Sequence, residues 1–214
     1  MIFKKLMYLS GLCMFLVAAA GVSRADSFTL TEDGCSGGCG AGPYGTVTLT
    51  QSGSNVDVTE TLASGYYFVN TGAGNPLAFN LSTPGTITDV ASSTYFDVGA
   101  SPATASTFGS FTNSIGCTSN CGKGGSNSFN IPTTLSFTVE GVDVSDFTTN
   151  SDGNYFATDI GEAGMVNGQM TIIATGNVGG GMMPPAMAPE PASLLLLGTG
   201  LLGLAGVAKM KMSV

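Results

Sequence analysis

The 214-residue sequence contains no histidine and no tryptophan, and it has only six basic residues against fourteen acidic ones. Without histidine, a Ser-His-Asp triad or a Cys-His pair is excluded within this chain. Five of the six basic residues lie near the two ends, so residues 26–188 hold one base, Lys123, with thirteen acids and a formal charge of −12. Such an acidic segment repels phosphate backbones, which argues against nucleic acid as a partner.

The first 25 residues have the layout of a secretory signal peptide. Lys4 and Lys5 precede an apolar stretch at 6–17, and a small-x-small site at 23–25 comes just before Asp26. This order of a basic region, a short apolar region and a cleavage site is typical of export signals. We therefore expect residues 1–25 to be a signal peptide; an uncleaved membrane anchor is the alternative.

The exported part is predicted to be all-β, because short alternating segments are separated by glycine and proline. Residues 44–50 alternate threonine with apolar residues, 51–55 form a turn, and 56–62 continue the alternation, which predicts a β-hairpin. Residues 161–168 predict at most one helical turn. We expect one antiparallel β-sandwich domain at 26–176. Further strands are predicted at 66–69, 78–81, 135–139 and 170–175.

The alternating pattern ends at residue 176. Residues 177–188 are rich in glycine and methionine and contain two consecutive prolines. A composition of this kind is typical of an extended linker. We expect a linker at 177–188, between the β domain and the C-terminal segment.

The last segment, 189–214, combines an apolar stretch with a short basic end. Residues 192–208 carry no charge, and as a helix they would span about 26 Å, enough to cross a thin bilayer. Lys209 and Lys211 follow directly and are expected to stay on the cytoplasmic side. This predicts a single C-terminal transmembrane helix and an inner-membrane-tethered precursor.

The triplet Pro189-Glu190-Pro191 stands immediately before the apolar stretch. With the Leu/Gly/Ala-rich stretch and the terminal lysines, it resembles the sorting signal of PEP-CTERM proteins. The resemblance implies a transient partner, the exosortase, a membrane-embedded cysteine transpeptidase-like enzyme that cuts near the motif and releases or transfers the protein. It also implies a destination at the cell surface or in the extracellular matrix, alongside exopolysaccharide in a biofilm.

Four cysteines lie outside the signal peptide, in two loops of the form G-C-x₃-C-G. An even number in an exported chain predicts two disulfides, with three possible connectivities. The flanking glycines favour the local pairs, although each local ring closes only five residues. A Cys₄ zinc site is disfavoured by the spacing and by the missing histidine. The four residues are Cys35, Cys39, Cys117 and Cys121.

Carboxylates are the remaining candidates for chemistry. Glu60 falls on the apolar phase of its predicted strand, and we expect it to reach solvent at the strand end; a buried acid with a raised pKa is the alternative. Two acidic pairs, 32–33 and 143–146, match a glycosidase pair or calcium ligands only loosely. We expect these pairs to be solvated acids in turns.

The sequence thus predicts an exported, non-catalytic surface or matrix protein with no catalytic residue, no metal and no cofactor. Two alternatives remain, each simply anchored by the C-terminal helix. A carbohydrate-binding module would need a face of exposed aromatic residues, and a glycosidase would need two carboxylates facing each other across a cleft. The aromatic candidates are Tyr66, Tyr67, Tyr95 and Tyr155.

Overall fold

A computed structural model of the protein describes residues 25–71, 74–127 and 129–180. This part of the chain contains fifteen strands and a single 3-10 turn, Val144–Asp146. Every pairing between these strands is antiparallel, which confirms the predicted all-β, antiparallel class of the domain. The strands are β1 (Ala25–Leu30), β2 (Glu32–Cys35), β3 (Gly45–Ser52), β4 (Asn55–Leu62), β5 (Tyr66–Phe68), β6 (Leu77–Leu81), β7 (Thr86–Thr88), β8 (Phe96–Val98), β9 (Ala103–Ala105), β10 (Gly109–Phe111), β11 (Asn113–Cys117), β12 (Thr134–Glu140), β13 (Phe147–Thr148), β14 (Phe156–Val166) and β15 (Gln169–Gly180).

The first sheet has five strands in the order β1-β3-β4-β12-β7. β3 and β4 form the predicted hairpin, closed by a two-residue turn between Ser52 and Asn55. Alternate residues of both strands are buried, so one face of the sheet points to the core and the other to solvent. The buried side of the hairpin consists of Val47, Leu49, Val56, Val58, Glu60 and Leu62.

The second sheet has eight strands and follows the order β2-β15-β14-β6-β11-β8, with β5 added to β14 and β13 added to β6. β9 and β10 form a separate two-stranded ribbon. Phe108, in the turn of this ribbon, is buried with Phe111 and four alanines in a small second cluster. Two of those alanines, Ala78 and Ala157, belong to β6 and β14. The ribbon therefore covers part of the second sheet.

The two main sheets enclose one apolar core in a sandwich-like arrangement. Phe28 of β1 packs edge-on against Phe156 of β14, with ring centroids 5.0 Å apart. Phe79 of β6 stacks on Phe137 of β12 at 5.7 Å. All four rings are buried, and such pairs stabilise a core by about 0.5–1.5 kcal/mol each beyond the burial of their area.

β14 and β15 form a long hairpin, of which the sequence pattern predicts only the strand at 170–175. The turn is Asn167-Gly168, with φ of 51° and 78°, the positive values that a tight hairpin turn of this type requires and that Asn-Gly favours. Residues 161–168, where the sequence allows at most one helical turn, form no helix: 161–166 pair as a strand with β15. Backbone hydrogen bonds to β15 and β5, and not the local spacing of apolar residues, set the conformation of this segment.

The last strand runs four residues past 176, where the alternating pattern ends and the linker is predicted to begin. Residues 177–180 are buried and pair with β14, and residues 177–179 pair with β2 on the other side as well. Gly179 passes beneath the Phe108 ring, where a Cβ would lie only 2.5 Å from Cδ1. The glycines that resemble a linker in the sequence thus allow a close approach of backbone and ring.

No helix in the described parts of the chain is long and apolar enough to cross a membrane. The predicted transmembrane helix at 192–208 lies outside those parts, as does the predicted signal peptide up to residue 24.

Candidate functional site

The residues of the predicted sorting signal all lie outside the described ranges. They are Pro189, Glu190 and Pro191 of the triplet, and Lys209 and Lys211 of the basic end. The residues that the structure describes therefore belong to the β domain and not to the sorting signal.

The first cysteine loop is closed by a disulfide between Cys35 and Cys39, with Cα atoms 5.6 Å apart. The carboxylate of Asp33, two residues before the loop, accepts hydrogen bonds from the backbone N–H of both cysteines, each at 2.9 Å. Asp33 and the two sulfur atoms lie within 4.8 Å of one another. Since the sulfur atoms are bonded to each other, they are not thiolate ligands, and the carboxylate serves to hold the loop.

Two tyrosines join this loop to the core. Tyr66 donates from its hydroxyl to the carbonyl of Cys39, and Tyr44 donates to that of Gly40, both at 2.8 Å. Their rings meet edge-on, with centroids 5.3 Å apart. Burial, and to a smaller extent nearby carboxylates, raises the pKa of both hydroxyls, so both remain protonated donors at neutral pH.

The second cysteine loop joins Cys117, at the end of β11, to Cys121, with Cα atoms 5.8 Å apart. The side-chain amide of Asn70 donates to the carbonyls of Cys117 and Thr118, each at 3.2 Å. The structure thus contains the two local pairs that the flanking glycines favour, and the contacts around both loops are structural.

The four tyrosines proposed for carbohydrate stacking do not form one exposed platform. Tyr66, on β5, is buried with its hydroxyl bonded to the first cysteine loop. Tyr67 packs against Phe129, and Tyr155 packs against Phe28. Tyr95 is half-buried and donates to the carbonyl of Asn130. A carbohydrate face built on these rings is therefore absent from the described domain.

Glu60 is completely buried between the two sheets, so the expectation that it reaches solvent is wrong. β12 pairs with β4 as far as residue 61, so Glu60 lies within the sheet and not at a strand end. The Glu60 side chain points to the core, as those of Val58 and Leu62 do. Its Oε1 accepts a 2.7 Å hydrogen bond from the Thr158 hydroxyl, while Oε2 has no partner among the described residues. Burial raises the pKa of Glu60 well above its usual range, although the hydrogen bond from Thr158 opposes this.

Asp159 is a second buried carboxyl, and the sequence analysis does not single it out. Its oxygens accept hydrogen bonds from the backbone N–H and the hydroxyl of Thr71, at 3.1 and 2.9 Å. Burial raises its pKa to about 7, while the bonds from Thr71 and Gly74 lower it. Because Thr158 and Asp159 are neighbours on one strand, they point to opposite faces of β14. The two buried carboxyls are thus not arranged as a pair across one cleft.

The acidic pair at 143–146 is a turn, as expected. Asp146 accepts hydrogen bonds from the Ser82 and Thr83 hydroxyls, both at 2.8 Å, and from the backbone N–H of Asp143 at 2.9 Å. These bonds lower the pKa of Asp146. The other pair is not in a turn: Glu32 and Asp33 lie on β2, where Asp33 holds the first cysteine loop and Glu32 is exposed.

Sequence comparison identifies the C-terminal signal directly. Residues 188–209 match the family model of the PEP-CTERM protein-sorting motif. The chain is therefore an exported, surface-directed β protein that carries an exosortase sorting signal. Comparisons with curated proteins and with solved structures found no match.

Proposed function

We propose that this protein is a non-catalytic component of the cell surface or extracellular matrix, associated with exopolysaccharide. It is exported by residues 1–25, held in the inner membrane by a helix at 192–208, and cut near Pro189 to Pro191 by an exosortase. In that step a peptide bond near the motif breaks, its acyl end passes to water or to an acceptor nucleophile, and the tail leaves with the new amine.

The single observation that carries this proposal is the match of residues 188–209 to the sorting motif. The arrangement of the β domain supports a structural role, because its two disulfides, its tyrosine hydroxyls and Asp33 all stabilise loops. The carboxyl of Glu60, on β4, meets the Thr158 face of β14, whereas Asp159 points to the other face of β14; a glycosidase needs its carboxyl pair across one cleft.

The processing step is tested by intact mass of the protein purified from its native host. The expected mass lacks residues 1–25 and everything after about residue 191. In a Pro189→Ala/Pro191→Ala variant the tail should be retained and the protein should stay with the membrane fraction. The matched control is Pro184→Ala/Pro185→Ala, two prolines upstream of the motif, which should be processed normally. A wild-type protein that keeps its tail would overturn the proposal.

The matrix role is tested in a strain that lacks the gene. Wild-type protein should fractionate with the matrix and restore its formation, and so should a Glu60→Gln/Asp159→Asn variant that has lost both buried carboxylic acids. If the variant folds, reaches the matrix and fails to restore it, a catalytic role for those carboxyls replaces the structural one.

A further inference from the structure

We infer that the outer face of the five-stranded sheet binds an uncharged polysaccharide chain along a grid of serine and threonine hydroxyls. This inference rests on the proposed function in the matrix, and it names both the face and the chemical class of the ligand. The face lies opposite the core side of β1, β3, β4 and β12 and contains no aromatic side chain.

The strand registers align these residues into two rows of four. One row is formed by Thr29, Thr46, Thr61 and Thr134, which lie opposite one another across β1, β3, β4 and β12. The next row along the strands is formed by Ser27, Thr48, Thr59 and Ser136. Strands lie about 4.8 Å apart and alternate residues about 6.8 Å apart. We call this array of eight residues the hydroxyl grid.

The hydroxyls of the grid are available to a ligand. Each of the eight side chains is exposed or partly exposed, and none hydrogen-bonds another group in the described part of the chain. The neighbouring row differs, since Thr138 donates to Asp57 at 2.9 Å and Thr88 donates to Glu140 at 3.3 Å. The grid therefore presents hydroxyl donors and acceptors that no group of the described protein uses, six of them on threonines whose β-branched side chains have restricted χ1 angles.

Charge and polarity favour an uncharged glycan over other partners. A second copy of this chain would bury no large apolar side chain on the grid and would meet a domain of equal charge, formally −12 over residues 26–188. The same charge repels anionic polymers. A sugar chain offers hydroxyls that both donate and accept at regular intervals, and it carries no charge to be repelled.

The binding is expected to depend on polymer length. The grid has no aromatic ring for stacking, so each sugar is held only by hydroxyl hydrogen bonds that compete with water. Many weak contacts along one chain add up through effective concentration. At one edge of the grid, an open depression of about 210 Å³ is lined by Thr46 and Thr61 together with Pro43, Gly45, Leu62 and Ala63. It is smaller than a typical small-molecule pocket, which is consistent with a long ligand lying across the face.

The test is affinity electrophoresis of the mature protein, purified from the native host, in gels that contain a polysaccharide. The probes are the uncharged fraction of the host's own matrix, hydroxyethyl cellulose, a short oligosaccharide of either, and carboxymethyl cellulose as the anionic comparison. We expect retardation by the uncharged polymers, and little by the oligosaccharide or the anionic polymer.

Isosteric variants test whether the polysaccharide binds at the hydroxyl grid. Thr46→Val/Thr48→Val/Thr59→Val/Thr61→Val keeps side-chain shape and strand propensity and should weaken binding about tenfold or more. The cross-strand pair Thr59→Val/Ser136→Ala should weaken it several-fold. Its matched control is Thr104→Val/Ser110→Ala, an exposed Thr-Ser pair opposite each other on β9 and β10, which should bind like the wild type.

Three results would overturn the inference: wild-type binding by the fourfold variant when its melting temperature is unchanged, equal retardation by carboxymethyl cellulose, or no retardation by any uncharged polymer. If the protein still fractionates with the matrix in those cases, the proposed function survives and the grid assignment alone fails. A protein that is absent from the matrix would overturn the proposed function instead.

Discussion

The Thr158 hydroxyl donates a 2.7 Å hydrogen bond to Oε1 of Glu60 and thereby joins the two sheets through the core. Glu60 belongs to β4 of the first sheet and Thr158 to β14 of the second, and neither side chain is exposed to solvent. A charged carboxylate in this position would lose its hydration with only one hydrogen bond in return. Burial therefore favours the neutral acid form of Glu60 by raising its pKa, and Thr158 is its hydrogen-bond partner.

Replacing Thr158 with valine should destabilise the protein. The change leaves both oxygens of Glu60 without a partner in the described structure, which costs about 1–3 kcal/mol in the free energy of unfolding. The double variant Glu60→Leu/Thr158→Val should recover most of this loss, since removing both polar partners is close to neutral. Urea unfolding followed by circular dichroism measures both values. A single variant as stable as wild type would contradict a contribution from this bond.

Stability should fall as the pH rises from about 4 to above 7. In the folded state the pKa of Asp159 is raised to about 7, against about 3.9 in an unfolded chain, so the folded state binds more protons in between. Its contribution, on the order of 4 kcal/mol, is fully present below pH 4 and is lost as the pH rises through 7. Burial of Glu60 acts in the same direction.

Asp159→Asn should flatten that pH dependence, because the amide keeps an acceptor for Thr71 and does not ionise. Glu60→Gln should likewise gain stability relative to wild type at higher pH. Urea midpoints at pH 4, 6 and 8 provide the measurement. A wild-type midpoint that increases over this range would be incompatible with the raised pKa values.

Gly179→Ala should be costly although it lies in the segment that looks like a linker. Its Cβ would meet the Phe108 ring at 2.5 Å, and overpacking of this kind costs about 1–3 kcal/mol. The matched control is Gly124→Ala, where the Cβ would meet only Thr175 at 3.7 Å. The loss should shrink in a Phe108→Leu background, which a double-mutant cycle measures. Equal melting temperatures for the two alanine variants would argue against the extended strand.

Removing the first disulfide should leave the fold intact. Cys35→Ser/Cys39→Ser opens a ring of five residues, for which loop entropy gives a cost of about 2 kcal/mol, and Asp33 still accepts from both backbone N–H groups. Calorimetry should show a lower melting temperature and an unchanged strand signal. Thiol titration of the wild type should detect free thiols only after reduction; thiols that react without reductant would contradict the local pairs.

The features that the sequence predicted correctly are local ones. Alternation within 44–62 specifies the β3–β4 hairpin, because a period of two separates the two faces of a strand wherever it occurs. The local disulfides follow the same logic, since the glycines that permit each tight ring are adjacent in sequence to its cysteines. The sorting motif is also a contiguous segment, so residues 188–209 are recognisable without any fold.

Other features depend on residues that are distant in the chain. Glu60 is buried because β12 extends the sheet beyond it and because β14 brings Thr158, 98 residues later, against its carboxyl. Residues 177–180 are a strand because they pair with β14 and, at 177–179, with β2 as well. The absence of a side chain at Gly179 leaves room for the Phe108 ring.

The sequence by itself determined the strand class, the β3–β4 turn, the cysteine loops and the sorting motif, because each depends on neighbouring residues. Only the tertiary structure decided which carboxyls lose water and which hydroxyls form rows. Both depend on strand register, and a shift of one residue would turn Glu60 to solvent and the threonines of the hydroxyl grid to the core.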